Sequence, residues 1–218
     1  MLPPAEFISL IELSDMIMPV TWWVVEAAVK QLAQWRKIEL QYRLSVNVST
    51  RNLVDAGFVS FIDTCLKRYN VEGRFLEIEI TESTLMADPD KAREVLQSIA
   101  ELGATISIDD YGTGYSSLAY LKSLPINTLK IDRAFISQMQ DDSQDQIIVN
   151  STIQLAHNLG LAVTAEGIED VCLIETLKEL GCDKGQGYYF CKPVSIEELD
   201  AWLVLYNKNR ISEQGFTA

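Results

Sequence analysis

One histidine and four scattered cysteines leave this 218-residue chain unable to build a Cys/His zinc site, since it has no Cys-x-x-Cys pair and His157 has no second imidazole to join. Cys65, Cys172, Cys182 and Cys191 read as reduced thiols, which fits a cytoplasmic setting. Positive charge is scarce as well. The 18 basic against 31 acidic residues give a formal net charge of -13, which disfavours polymeric nucleic acid and anionic membrane as partners. A small anion can still be held by such a protein through a metal ion. No apolar run is long enough for a membrane segment: Met16 to Val25 is interrupted by Pro19, followed by Glu26, and falls short of the roughly 20 residues a bilayer requires. No basic, apolar, cleavable stretch opens the chain, so no signal peptide is expected, and no linker divides it. With 48% hydrophobic residues and 22% charged, the composition is that of a globular chain with one sizeable core, the alternative being two small ones.

What the chain does have is a strand-helix alternation, most concentrated in the stretch from Ile106 to Asp132. There an apolar-polar alternation delivers Asp109 and Asp110 to a strand end. Gly112 and Gly114 follow, with Ser116 or Ser117 placed to cap a short helix that Pro125 ends. A second strand, Thr128 to Asp132, sets Leu129 and Ile131 on one face against Lys130 and Asp132 on the other. Taken alone, an acidic pair before glycines is a solvated turn.

The pattern recurs along the chain. Helices are predicted from Pro3 to Leu13 and from Val20 to Trp35, the latter packing its stripe of Trp23, Val24, Ala27, Ala28 and Leu32 into the core. Leu44 to Val48 is the first strand, and a helix over Asn52 to Arg68 leads to a second from Leu76 to Ser83, with Glu77, Glu79 and Thr81 on its polar face. Helices over 89–102, 143–159 and 171–180 alternate with strands over 105–109, 161–166 and 185–190, and Ser195 caps a last helix through about Leu205. The domain therefore spans residues 1–206, with 207–218 as a frayed tail.

Strand-helix repetition calls for a parallel sheet with helices outside it. A flat doubly wound sheet would need both strand faces apolar, whereas here one face is polar. That contrast points to an α/β, TIM-like (β/α) barrel, incomplete at the N-terminus, with about six of eight strands present. Asn47, Glu79, Asp109, Lys130 and Glu166 fall at or near the C-terminal ends of five different strands, on the polar face. Converging carboxylates need cations, and oxygen donors without imidazole or thiolate suit hard ions, Mg or Mn, with Ca able to take the same place. The bland alternative is a rim of solvated acids with Lys130 as their partner.

The stretches NVS at Asn47, EITES at Glu79, IDDYGTGYSSLAYLKSLPINTLKID, LAHNLGLAVTAEGIE and QGYYF resemble the EAL domain, a bacterial family of cyclic di-GMP phosphodiesterases with a TIM-like barrel. The resemblance runs from Pro3 to about Leu205, with several separated motifs in order. It implies that Asn47, Glu79 and Asp109 bind one divalent ion, that Asp110 and Glu166 help hold a second ion or its water, and that Lys130 orients the attacking water. Glu82 would brace the glycine loop, and Asp132, Glu169 and Gln186 would support the phosphate and substrate pocket. His157, Arg51 and the Trp22-Trp23 pair receive no role. The Glu-Ala-Leu motif of the family lies upstream of the segment matching PPAEF, so the sequence begins just after it. The expected two-ion site then lacks one glutamate, and two sheet edges are opened. The resemblance thus implies hydrolysis of cyclic di-GMP to linear pGpG in signal transduction. The alternative is a catalytically impaired cyclic di-GMP receptor or interaction module. A homodimer is the expected assembly, because the opened edge and the apolar helix after the acidic pair offer contact surface.

Overall fold

The computed structural model describes residues 4–12, 14–112, 118–140 and 142–210, in two compact units, Met1–Asn127 and Thr128–Ala218. The first holds three strands, β1 (Leu44–Asn47), β2 (Leu76–Thr81) and β3 (Thr105–Tyr111). They pair in parallel, with Asn47 beside Glu79, Glu79 beside Ser107, and Thr81 beside Asp109. Parallel pairing demands a crossover between strands. The crossovers here are helical: Thr50–Val54 and Phe58–Tyr69 join β1 to β2, and Glu82–Ala87 and Pro89–Glu101 join β2 to β3. Leu76, Ile78, Ile80, Ile106 and Ile108 are fully buried on one face of the sheet. Burial of each such side chain contributes about 1.5–3 kcal/mol against the entropy of ordering it.

The second unit repeats the plan with β4 (Thr128–Ile131), β5 (Ala162–Ala165) and β6 (Lys184–Gly185), again parallel, with Lys130 beside Thr164 and Ala165 beside Gly185. Helices Arg133–Gln138 and Ser143–Asn158 cross from β4 to β5, and Val171–Glu179 crosses from β5 to β6. Local sequence fixes where these helices start. The carboxylates of Asp88, Asp132, Asp142 and Asp170 each accept a backbone N–H in the first turn of the helix that follows. Ser195 and Glu198 exchange hydrogen bonds in a capping box before the last helix, Ile196–Arg210, as the sequence predicts for Ser195.

Several predicted boundaries and one predicted face are corrected. The helix Ile17–Lys37 buries Thr21, Val25, Val29, Leu32 and Trp35, whereas Trp23 and Ala27 are exposed. Its segment from Val20 to Val29 is apolar nearly all round, so periodicity alone does not select the inward face. The predicted helix over 52–68 is two helices, because Asp55 turns extended and its Oδ1 accepts the Gly57 N–H at 3.2 Å. The strand predicted to reach Ser83 ends at Thr81, whose hydroxyl caps the helix Glu82–Ala87 by accepting the Thr84 N–H. The strand predicted over 185–190 is only Lys184–Gly185, and the chain beyond it turns back, with Phe190 N–H donating to the Gly187 carbonyl. The helix Arg133–Gln138 is additional to the predicted elements, and the last helix continues to Arg210. Gly114 and the expected caps Ser116 and Ser117 lie outside the described residues.

Candidate active site

In the first unit, Asn47 closes β1 and is exposed, while its register partner Glu79 on β2 is only 7% exposed. The chain leaves β1 under tight control. Asn52, fully buried, accepts at Oδ1 from the Ser49 N–H, the Ser49 hydroxyl and the Thr21 hydroxyl, which pins the turn directly after Asn47. Parallel pairing of Glu79 with Ser107 and of Thr81 with Asp109 places Glu79 and Asp109 on one sheet face, offset by two residues along the strands. At the end of β3, Asp109 Oδ1 accepts the Asp110 N–H at 3.1 Å. Asp110 itself adopts φ 54°, a left-handed conformation uncommon outside glycine and most tolerated by Asn and Asp. At this strained corner a carboxylate oxygen of Asp110 still lies within 4.8 Å of one of Asp109. Glu82 is buried at 3% exposure in the first turn after β2. Burial, and secondarily the charge of Glu82, raise the pKa of the Tyr111 hydroxyl, so that phenol stays protonated at neutral pH.

In the second unit, Lys130 is 4% exposed in the middle of β4, and its Nζ lies 2.6 Å from Glu166 Oε1. Glu166 follows β5 directly and continues the ladder, its N–H donating to the Ile131 carbonyl at 3.1 Å. Gly167 comes next with φ 69°, and a β-carbon there would lie 2.3 Å from the Arg133 β-carbon, so glycine alone lets the segment after Glu166 pass so close to that helix. Asp132, the residue before the same helix, accepts the Ala134 N–H at 2.7 Å and so caps it. Gln186 extends β6 through its backbone, donating to Ala165 and accepting from Ile168. The side chains of Gln186 and Glu169 are exposed.

Sequence reasoning missed two anchoring groups. Asp183 Oδ2 accepts the Val163 N–H at 2.7 Å and meets His157 Nε2 at 2.9 Å, which explains the lone histidine as a helix-to-strand fastener. Asn127 binds Ile106 at both backbone groups, its N–H donating to the carbonyl and its Oδ1 accepting the N–H. An Asn next to an apolar alternation is the one sequence sign of such a plug, and it is weak. A groove of about 610 Å³ lies elsewhere: Arg36, Lys67, Glu72 and Arg74 line it beside the N-terminal start of β2. Its cations are already paired with Glu72 and Asp63, so it offers none of the oxygen-donor chemistry found at the strand ends.

The donor set of the first unit suits a hard divalent ion. Asn47, Glu79 and Asp109 present oxygen atoms from adjoining parallel strands, and a carboxylate as buried as Glu79 is stable only with a cation or donors around it.

Parallel strands with capped helical crossovers, and polar residues at the C-terminal strand ends within each unit, define an α/β protein of the TIM-like class. The chain belongs to the EAL domain family, whose profile matches residues 1–193. It is 38% identical over 200 residues to cyclic di-GMP phosphodiesterase PA2567 of Pseudomonas aeruginosa, covering 92% of this chain and 34% of that protein. It is 37% identical over 202 residues to signaling protein YkoW of Bacillus subtilis, covering 93% of this chain and 25% of that one. The chain thus spans a quarter to a third of the length of these curated relatives. Among solved structures, the PaMucR phosphodiesterase in complex with c-di-GMP matches with a TM-score of 0.88 and 38% identity, over 91% of this chain and 81% of that one. The EAL domain of FimX from Pseudomonas aeruginosa bound to c-di-GMP matches with a TM-score of 0.81 and 26% identity, over 88% of this chain and 77% of that one. Among the described residues no helix is long and apolar enough to cross a membrane.

Proposed function

We propose that this protein is a divalent-metal-dependent phosphodiesterase that hydrolyses one phosphodiester of cyclic di-GMP to linear pGpG. The observation that carries the reading is the register of β1, β2 and β3, which sets the oxygen donors Asn47, Glu79 and Asp109 on adjoining strands of a chain 38% identical to a cyclic di-GMP phosphodiesterase. In this reading Asn47, Glu79 and Asp109 hold one Mg or Mn ion, and Asp110 and Glu166 help hold a second or its water. The ions supply charge neutralisation at the phosphate and lower the pKa of a water, which lets a protein of net charge -13 accept an anionic substrate.

The residues of the chain do the rest. Lys130, buried and held by Glu166, orients the attacking water along the line of the breaking P–O bond, and Asp110 or Glu166 accepts its proton. Asp109 accepts the Asp110 N–H at Oδ1 and would offer its other oxygen to an ion. Glu82 braces the glycine loop, while Asp132, Glu169 and Gln186 support the phosphate and substrate pocket. The free thiols of the four cysteines fit action in the cytoplasm. A homodimer through the helix Leu118–Leu121, where Leu118 is 54% exposed, completes the reading.

Calorimetry with cyclic di-GMP tests it. Binding and heat of turnover in Mn, both lost in chelator, support the enzyme. Binding that persists in chelator with no turnover replaces it with a receptor. Light scattering that gives a monomer at every concentration removes the dimer.

A further inference from the structure

We propose that the Ser107 hydroxyl is a positioning group for Glu79, donating a hydrogen bond to the Glu79 carboxylate when that carboxylate binds a divalent ion. The inference rests on the reading of Glu79 as a metal ligand and adds to it a residue outside the ligand set. Ser107 is fully buried, and its Oγ has no hydrogen-bond partner among the described residues. Buried hydroxyls without partners are rare, because each forfeits the hydrogen bonds it had in water. The neighbouring polar side chain on the same strand face is not in that position: the Thr105 hydroxyl donates to the Leu76 carbonyl at 3.4 Å. The other two unpartnered buried polar atoms among the described residues, Trp22 Nε1 and Asp55 Oδ2, lie near Gly57, on the helix Ile17–Lys37 and in the turn after Val54.

The place of Ser107 gives its hydroxyl a task. In the β2–β3 register it stands directly beside Glu79, and it shares a strand face with Asp109 two residues on. Ser107 is itself 0% exposed, so an apolar side chain would be the less costly choice there for packing alone. A carboxylate that gives one lone pair to a metal ion keeps others, and ligands are oriented by donors that satisfy those. A serine hydroxyl on the adjoining strand is such a donor. Being unbound beforehand, it can rotate to Glu79 without breaking another hydrogen bond.

The test compares the parent chain with Ser107→Ala and Ser107→Cys, the latter keeping the size of the side chain but offering only a weak donor. Mn affinity is measured by calorimetry, and melting temperature is measured in chelator and in Mn. The expected result is a 10- to 100-fold weaker Mn affinity in both variants, the range typical for lost outer-sphere partners. In chelator, Ser107→Ala should melt at or above the parent, because an unpartnered hydroxyl has been removed. A merely structural serine would move chelator stability and leave Mn affinity alone. Parent-like Mn affinity in Ser107→Ala overturns the inference while leaving the metal site standing. Failure of the parent itself to bind Mn overturns the metal reading and this inference together.

Discussion

Lys130 Nζ and Glu166 Oε1 stand 2.6 Å apart, a charge pair joining the middle of one strand to the end of the next, with Lys130 only 4% exposed. An ammonium so deeply buried needs a carboxylate near it, and removal of one member of a buried pair leaves the other uncompensated. Glu166→Ala should therefore destabilise the protein by about 3 kcal/mol in urea unfolding, with Lys130→Met/Glu166→Ala recovering much of the loss. Equal stability of Glu166→Ala and the parent would show that Lys130 does not depend on this partner.

Asp109→Asn preserves shape and the hydrogen bond to Asp110 N–H while removing one negative charge. The metal reading predicts that millimolar Mn raises the melting temperature of the parent but not of this variant. Ligand at 100-fold over its dissociation constant stabilises by about 2.7 kcal/mol, a shift readily seen in a melt. If the acids were only a repulsive rim, Asp109→Asn would instead melt higher than the parent and Mn would affect neither.

Cys182 is 6% exposed, and burial pushes its thiol from an ordinary value of 9.0 up to about 11. Between those pH values the unfolded chain releases a proton that the folded chain retains, so stability falls as pH rises through this window. The contribution is fully present below pH 9 and is lost at a rate of up to about 1.4 kcal/mol per pH unit. Cys182→Ala should show a shallower loss of urea stability from pH 9 to pH 11 than the parent. At pH 8, a thiol reagent should label exposed Cys172 and leave Cys182 protected in the folded protein.

Gly167→Ala places a β-carbon against Arg133 at a left-handed φ of 69°. Strain and the enforced displacement of the neighbouring helix should together cost about 1–3 kcal/mol. Because Glu166 directly precedes this turn, turnover should fall further than at a glycine in open space, such as Gly160, substituted in the same way.

The strands carrying the polar residues were legible in the sequence because period-two alternation is strong in Leu76 to Thr81 and Thr105 to Asp109, and the Asp and Ser caps mark most helix starts. The inward face of Ile17–Lys37 was not legible, because a segment apolar on every side carries no phase, and Trp23 was assigned to the core while it is 70% exposed. The break at Asp55 and the early stop of the strand at Gly185 depend on a side-chain turn and on a backbone reversal, which act over two or three residues within otherwise regular patterns. At the site, residue types and strand positions of Asn47, Glu79 and Asp109 were readable. The left-handed corner at Asp110, the plug at Asn127 and the buried hydroxyl of Ser107 arise from tertiary placement, which local sequence signals only weakly, at Asn127.

The most direct test is hydrolysis of cyclic di-GMP in water enriched in oxygen-18, with the folded parent chain and Mn, followed by mass spectrometry of the nucleotide product. The account predicts linear pGpG carrying one heavy oxygen on its terminal phosphate, abolished by chelator and by Asp109→Asn. Intact cyclic di-GMP after prolonged incubation of folded protein with Mn would contradict it.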